Sequence, residues 1–271
     1  MSHRADGVVR PIGRWRGLIA AGLLAGCTAL SATSVRIPPV AVADARAAPR
    51  PLPAMLALPD GPGPHPAVIV LHGCGGIRPP LMAWADRLNS WGYAALLVDS
   101  FAPRGVSTVC ADQSVTPADR AGDVLAAAQF LAGLPTIDGA RIGVLGFSHG
   151  GSTAAVVTET RFSDLQPGLI KAAVDYYGGC GSAERHGTVP LLALKGDADD
   201  WPPLAPCLAF RDRLRPDQPF ELVSYRGVFH AFDVPGTYTL NLGHRLAYDE
   251  AAASDSFVRT RAFLDRWLRQ R

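Results

Sequence analysis

The chain is short of the features that most ligand-binding classes need. Its formal net charge is only +2, and no basic cluster interleaves with aromatic residues, so it lacks both the field and the stacking surface of a nucleic-acid binder. The seven His are scattered, with neither an H-x-x-x-H spacing nor a carboxylate-paired one, which argues against a zinc framework. Gly73, Gly75 and Gly76 do not form G-x-G-x-x-G with a ribose-binding acid in place, which argues against a dinucleotide site. No repeat or long linker divides the chain. No metal, cofactor or nucleic-acid partner is expected.

The first 48 residues differ in composition from the rest. Arg10, Arg14 and Arg16 precede the apolar stretch Gly17–Cys27, the basic start and short hydrophobic core of an export signal, too short to span a bilayer stably by itself. Leu24-Ala-Gly-Cys27 resembles a bacterial lipobox, which makes Cys27 a lipidation candidate and residues 28–51 an Ala/Pro-rich tether to the membrane. Cleavage after Ala43 or Ala47 is the rival, releasing a soluble periplasmic or secreted protein. Those sites lie unusually far from the apolar run, so Cys27 is preferred. Residues 49–271 then remain, enough for one well-buried α/β core and too few for two ordinary domains.

Chemistry concentrates in three places. Ala140-Arg-Ile-Gly-Val-Leu145 reads as a buried strand and runs into Gly146-Phe-Ser-His-Gly150, the G-x-S-x-G pattern of a strand turning sharply into a helix with its serine exposed. Ser148 is the candidate nucleophile. A serine hydroxyl needs a base, and the base needs an orienting acid. Downstream, the strand Pro190–Lys195 leads to Gly196-Asp-Ala-Asp-Asp-Trp201, and the strand Phe220–Tyr225 leads to Gly227-Val-Phe-His-Ala-Phe-Asp233. Both loops follow the carboxyl ends of strands, where open α/β sheets bind ligands. Asp199 is assigned as the acid, with Asp197 and Asp200 as competitors, and His230 as the base. His149, His244 and His72 are read as structural imidazoles. Upstream, the strand Pro66–Leu71 runs into His72-Gly-Cys-Gly-Gly76, whose Cys74 N–H would join the His149 N–H in an oxyanion hole.

Together, Pro66–Gly73, Trp91-Gly-Tyr-Ala-Ala-Leu-Leu-Val-Asp-Ser100, Gly146–Gly150, Gly196–Asp199 and Phe229-His-Ala-Phe232 resemble the dienelactone hydrolase family of α/β-hydrolases, from about Pro51 to the C-terminus. The resemblance implies an α/β-hydrolase fold, a mostly parallel central sheet with helices on both faces, and hydrolysis of a small ester or lactone. The best-known members carry a cysteine nucleophile held by a glutamate in the oxyanion loop. The matching positions here are Ser148 and Gly73, so the chain looks like a serine-type relative. Arginines that hold the substrate carboxylate in those members have a loose counterpart in Arg104.

The remaining expectations concern packing. Leu81, Trp84, Ala85 and Leu88 form one helical stripe. Thr116 and Pro117 supply an N-cap and first-turn proline for a helix over Pro117–Leu134, and a last helix over Asp249–Arg271 turns Phe257, Leu264, Trp267 and Leu268 inward. Only a short Gly-rich loop, Gly178–Val189, stands where lipases insert a cap, so no large lid domain is expected and the pocket should be open. Trp201, Tyr177, Phe229 and Phe147 are candidates for its walls. Cys74, Cys110, Cys180 and Cys207 fall in or beside loops at the same edge. An oxidising compartment would allow two disulfides among three connectivities, and Cys74–Cys110 with Cys180–Cys207 is the expected pairing, against isolated buried thiols as the alternative. Thioesterase, acyl-peptide hydrolase and deacetylase activities on the same residues, or a binding lipoprotein that only retains the fold, are the alternatives to an esterase or lactonase.

Overall fold

The computed structural model describes Met1 and residues 32–42, 46–181 and 185–269, so Cys27 and the signal-like stretch lie outside the described residues. In chain order the elements are β1 (Ala32–Ile37), β2 (Leu52–Ala57), β3 (His65–Leu71), α1 (Pro79–Ser90), β4 (Ala94–Val98), α2 (Pro117–Ala132), β5 (Ile137–Phe147), α3 (His149–Val156), α4 (Thr160–Ser163), β6 (Ala172–Tyr176), β7 (Leu191–Gly196), α5 (Ala205–Arg211), β8 (Phe220–Tyr225), β9 (Tyr238–Asn241), β10 (His244–Ala247) and α6 (Glu250–Arg269).

Eight strands form one sheet in the order β1-β2-β4-β3-β5-β6-β7-β8. The β1–β2 and β2–β4 pairs are antiparallel and every other pair is parallel. Strands buried on both faces read as continuous apolar runs, and β3 shows why: Ala67, Ile69 and Leu71 pack on the side of α2, α3 and α5, while Val68 and Val70 pack on the side of α1 and α6. The expected stripe of α1 is buried at Leu81, Trp84, Ala85 and Leu88. At the start of α2, Thr116 Oγ1 accepts from Asp119 N and the Asp119 carboxylate accepts from Thr116 N, a reciprocal capping box.

Three expectations need correction. Residues 32–48 are not a free tether through their whole length. β1 pairs along the outer edge of β2, Ile37 is fully buried, and Arg46 forms an ion pair with Asp119 at 2.7 Å. An antiparallel β2 left at the edge would present a row of unpaired backbone groups, and β1 satisfies it. Trp267 does not face the core. The buried stripe of α6 passes through Ala252, Ser256, Thr260, Phe263, Leu264 and Leu268, and Trp267 lies off it, 39 % exposed. Finally, the segment before α6 contains an unanticipated hairpin, β9–β10. Its two-residue loop, Leu242-Gly243, has φ of 51° and 89°, the left-handed pair that closes a tight hairpin.

Candidate active site

The carboxyl ends of β3, β5, β6, β7 and β8 deliver their loops to one rim. Ser148 sits at the turn between β5 and α3 with φ 54° and ψ −118°, a strained conformation for a residue bearing a side chain. Glycines make the turn possible through space rather than freedom: a Cβ on Gly146 would stand 1.9 Å from Gly150 O, and one on Gly150 would stand 2.4 Å from Leu71 O. Two other residues of this rim also hold positive φ, Tyr177 at 43° and Ala231 at 56°.

His230 Nε2 lies 3.0 Å from Ser148 Oγ, and His230 Nδ1 lies 2.9 Å from Asp199 Oδ2. A carboxylate only accepts, so Nδ1 carries a proton and Nε2 is left to accept from the serine hydroxyl. The Trp201 N–H donates to the second Asp199 oxygen at 2.8 Å, which fixes the carboxylate's rotation. His230 and Asp199 are both 3 % exposed. The competing acids of the same loop are engaged elsewhere: Asp197 accepts from Gly227 N, and Asp200 lies 3.0 Å from His244 Nδ1.

The backbone N–H of His149 is adjacent to Ser148 in the chain, and the Gly73–Cys74 loop lies against it, a Cβ on Gly73 falling 3.5 Å from Ser148 Cβ. That loop is tied on two sides. Cys74 is bonded to Cys110, and Cys74 O accepts from Val109 N. Beneath it is a residue that the sequence did not single out. Arg120 of α2 is fully buried. Its guanidinium donates to His72 O at 2.9 Å, lies 2.9 Å from His149 Nδ1, and stands 5.2 Å from the centre of the Phe101 ring. Arg120 thus contacts both His72, which precedes the Gly73–Cys74 loop, and His149, which follows Ser148. Burial pushes Arg120 down to about 9, and burial with the adjacent guanidinium holds His149 down at about 3, so His149 is neutral and accepts from Arg120.

A second buried group lies behind Asp199. Lys195 Nζ donates to Gly178 O at 2.7 Å and Pro202 O at 2.9 Å, joining the loops after β6 and β7. Asp175 accepts from Gly178 N at 2.7 Å, and burial pushes its carboxyl up to about 7. The Cys180–Cys207 disulfide fastens the loop after β6 to α5.

Two cavities meet at Ser148, sharing Cys74, Ser148 and Trp201 in their walls. The larger, about 350 Å³, also includes Trp84, Phe147, Tyr177, His230, Asp233 and Thr237, and the β9–β10 hairpin contributes Asn241 and Leu246. The smaller, about 170 Å³, also includes Gln113, Pro117, His149, Ser152 and Pro202. Of the sequence's wall candidates, Trp201, Tyr177 and Phe147 line these cavities and Phe229 lines neither. Arg104 also lies outside both. Its guanidinium makes a bidentate pair with Asp123 at 2.7 and 3.0 Å and reaches Ser100 O and Arg46 O, so the expected substrate contact is replaced by an internal one. Among the described residues no group of three or more His, Cys, Asp and Glu is placed to hold a metal ion.

The model of the dienelactone hydrolase family matches residues 52–268. The chain belongs to the dienelactone hydrolase family. It is therefore a carboxylic ester or lactone hydrolase. A Bradyrhizobium sp. protein named "Probable 2-oxo-3-(5-oxofuran-2-ylidene)propanoate lactonase" is 29 % identical over 235 residues, 79 % of this chain and 88 % of that protein. Among solved structures, a dienelactone hydrolase-like promiscuous phosphotriesterase from metagenomic libraries superposes with a TM-score of 0.69 at 21 % identity, covering 88 % of this chain and 99 % of that one. Est1E from Butyrivibrio proteoclasticus superposes with a TM-score of 0.60 at 16 % identity, over 88 % of this chain and 99 % of that one. At such identities the likeness of the two structures is one of fold.

Proposed function

We propose that the protein hydrolyses small carboxylic esters or lactones through a Ser148–His230–Asp199 triad and an acyl-enzyme. The observation that carries this reading is the unbroken chain of contacts from Ser148 Oγ through His230 to Asp199. His230 Nε2 takes the serine proton as Oγ attacks the carbonyl carbon. The Cys74 and His149 N–H groups receive the oxyanion, each worth about 3–4 kcal/mol of barrier in such sites. The imidazolium returns its proton to the departing alkoxide, and a water, deprotonated by the same imidazole, releases the acid. The lack of a large cap is consistent with small substrates.

Placement outside the cytoplasm is part of the proposal. Two disulfides suit an oxidising compartment, and among the described residues no helix is long and apolar enough to cross a membrane. Processing at Cys27 with lipidation fits the fold better than cleavage after Ala43 or Ala47. The latter would remove β1 and uncover the β2 edge.

The test is covalent. A fluorophosphonate probe should label the purified protein once per chain, and peptide mapping should find the adduct on Ser148. Labelling at another residue, or none, would remove the triad reading.

A further inference from the structure

The charge of the larger cavity narrows the substrate class. Its walls are mostly apolar and aromatic, with Trp84 and Phe147 rings 5.3 Å apart and Tyr177 set edge-on to His230 at 4.7 Å. The ionisable side chain set among these rings is Asp233, 6 % exposed. It accepts from the Trp84 indole N–H at 2.9 Å on one oxygen and from the Tyr177 hydroxyl at 2.7 Å on the other. Two donors, one on each oxygen, are the complement of a carboxylate. Burial opposes that charge, pushing the Asp233 carboxyl up, so a second negative charge nearby would raise an existing cost.

One nearby cation offsets it only in part: the Arg87 charge draws the Asp233 carboxyl down by less than burial pushes it up. Arg87 stands 5.5 Å from the Trp84 ring and 3.6 Å from the Phe257 ring and does not line the cavity. Arg104 is consumed by Asp123. Among the described lining residues the one Lys or Arg is Arg78, exposed at the rim with Nε donating to Gly75 O at 3.1 Å.

We propose that the site selects uncharged esters and lactones whose larger part is aromatic or compact and apolar, seated in the larger cavity, with a small group in the lesser one. Asp233 turns away substrates that would place a carboxylate there. The inference rests on the hydrolase reading above and adds to it a charge rule that the family assignment does not contain. The division by size follows from Ser148 standing where the two cavities meet: the acyl and leaving groups of a bound ester diverge from the attacked carbon, so one must enter each space. An acetyl group suits the pocket of Gln113 and Ser152, and an aryl group suits the larger one beside Trp84.

The experiment compares 4-carbamoylphenyl acetate with 4-carboxyphenyl acetate, alike in shape and unlike in charge, each rate divided by that with hydroxide. The wild-type protein should favour the carbamoyl ester in kcat/KM by roughly tenfold or more. Asp233→Asn, which keeps an acceptor for Trp84, should narrow that ratio severalfold. Equal rates, or faster turnover of the carboxylate, would overturn the proposal, and loss of such a preference in Arg78→Ala would identify the rim arginine as its cause. A wild-type preference unchanged in Asp233→Asn would overturn the role given to Asp233. Should that variant fail to fold, the wild-type ratio still decides the charge rule. If both esters are inert and the fluorophosphonate leaves Ser148 unlabelled, the hydrolase mechanism itself falls. Labelling together with an absent or reversed preference would sink only the charge rule.

Discussion

Ser148 stands between two buried polar groups that differ in what they face. On one side His230, backed by the buried Asp199, opens onto the larger cavity, with the imidazole edge 3.0 Å from the serine oxygen. On the other side the fully buried Arg120 backs His149 and His72, and the guanidinium spends its contacts on a backbone carbonyl and a neutral imidazole. In the proposed mechanism the first group passes a proton: His230 takes it from Ser148 while Asp199 holds the imidazole in place. The second cannot: Arg120 stays protonated at neutral pH, and His149, held down at about 3, stays neutral. On this proposal one side moves charge and the other holds two loops in register. Similar degrees of burial thus serve chemistry in one case and geometry in the other.

Substitutions separate the two. Asp199→Asn is expected to have the larger effect, a fall in kcat of about 10⁴ on an activated ester, because an amide no longer holds His230 in the tautomer that accepts from Ser148. Steady-state kinetics on the folded variant measures it, and a loss below tenfold would shift the acid's role to another carboxylate. Arg120→Met should lower kcat by about ten- to a hundredfold with little change in KM, since the oxyanion donors are displaced rather than removed. Arg120→Lys should recover only part of this, because a single ammonium does not reproduce a fork aimed at two acceptors. If KM rather than kcat carried the change, or if Lys restored full activity, Arg120 would be a packing residue alone.

A further effect concerns the charges behind Asp199 and is read as stability rather than rate. The Asp175 carboxyl is pushed up to about 7 by burial, above its ordinary 3.8. Between these values the folded chain holds a proton that the unfolded chain has released, so this group lowers stability as pH rises from about 4 to 7 and adds nothing further above that. Asp175→Asn has no such titration. Its stability relative to wild type should therefore grow across that window, by at most about 1.4 kcal/mol per pH unit, in denaturant unfolding at several pH values. A difference that is flat from pH 4 to 7 would show that Asp175 is ionised throughout.

The readability of the sequence divides along similar lines. The parallel sheet was legible because strands covered on both faces are unbroken apolar runs, as in Pro66–Leu71, and the helices between them carry clear stripes. The elbow at Gly146–Gly150 and the loops at Asp199 and His230 were legible because a strand end followed by Gly and polar residues is a local signal. Both disulfides formed in the expected pairing. What the sequence hid depended on distant partners. Arg120 and Arg104 look like solvent-facing helix and loop residues, and only the fold brings His72, His149 and Asp123 to them. β1 is only six residues, Ala32-Thr-Ser-Val-Arg-Ile37, with two large apolar side chains and an Ala/Pro-rich stretch after it, so its pairing with β2 left little local trace. The β9–β10 hairpin has a signal in Asn241-Leu-Gly-His244, a Gly-containing two-residue loop, but its flanking strands are only four residues each and mostly exposed.

The central claim is that the Ser148 hydroxyl attacks the substrate carbonyl. Its most direct measurement is p-nitrophenyl acetate hydrolysis by Ser148→Ala, with folding verified by circular dichroism. The account predicts a fall in kcat on the order of 10⁶, close to the uncatalysed rate. A folded variant keeping more than about a tenth of the wild-type rate, far above that expectation, would contradict it.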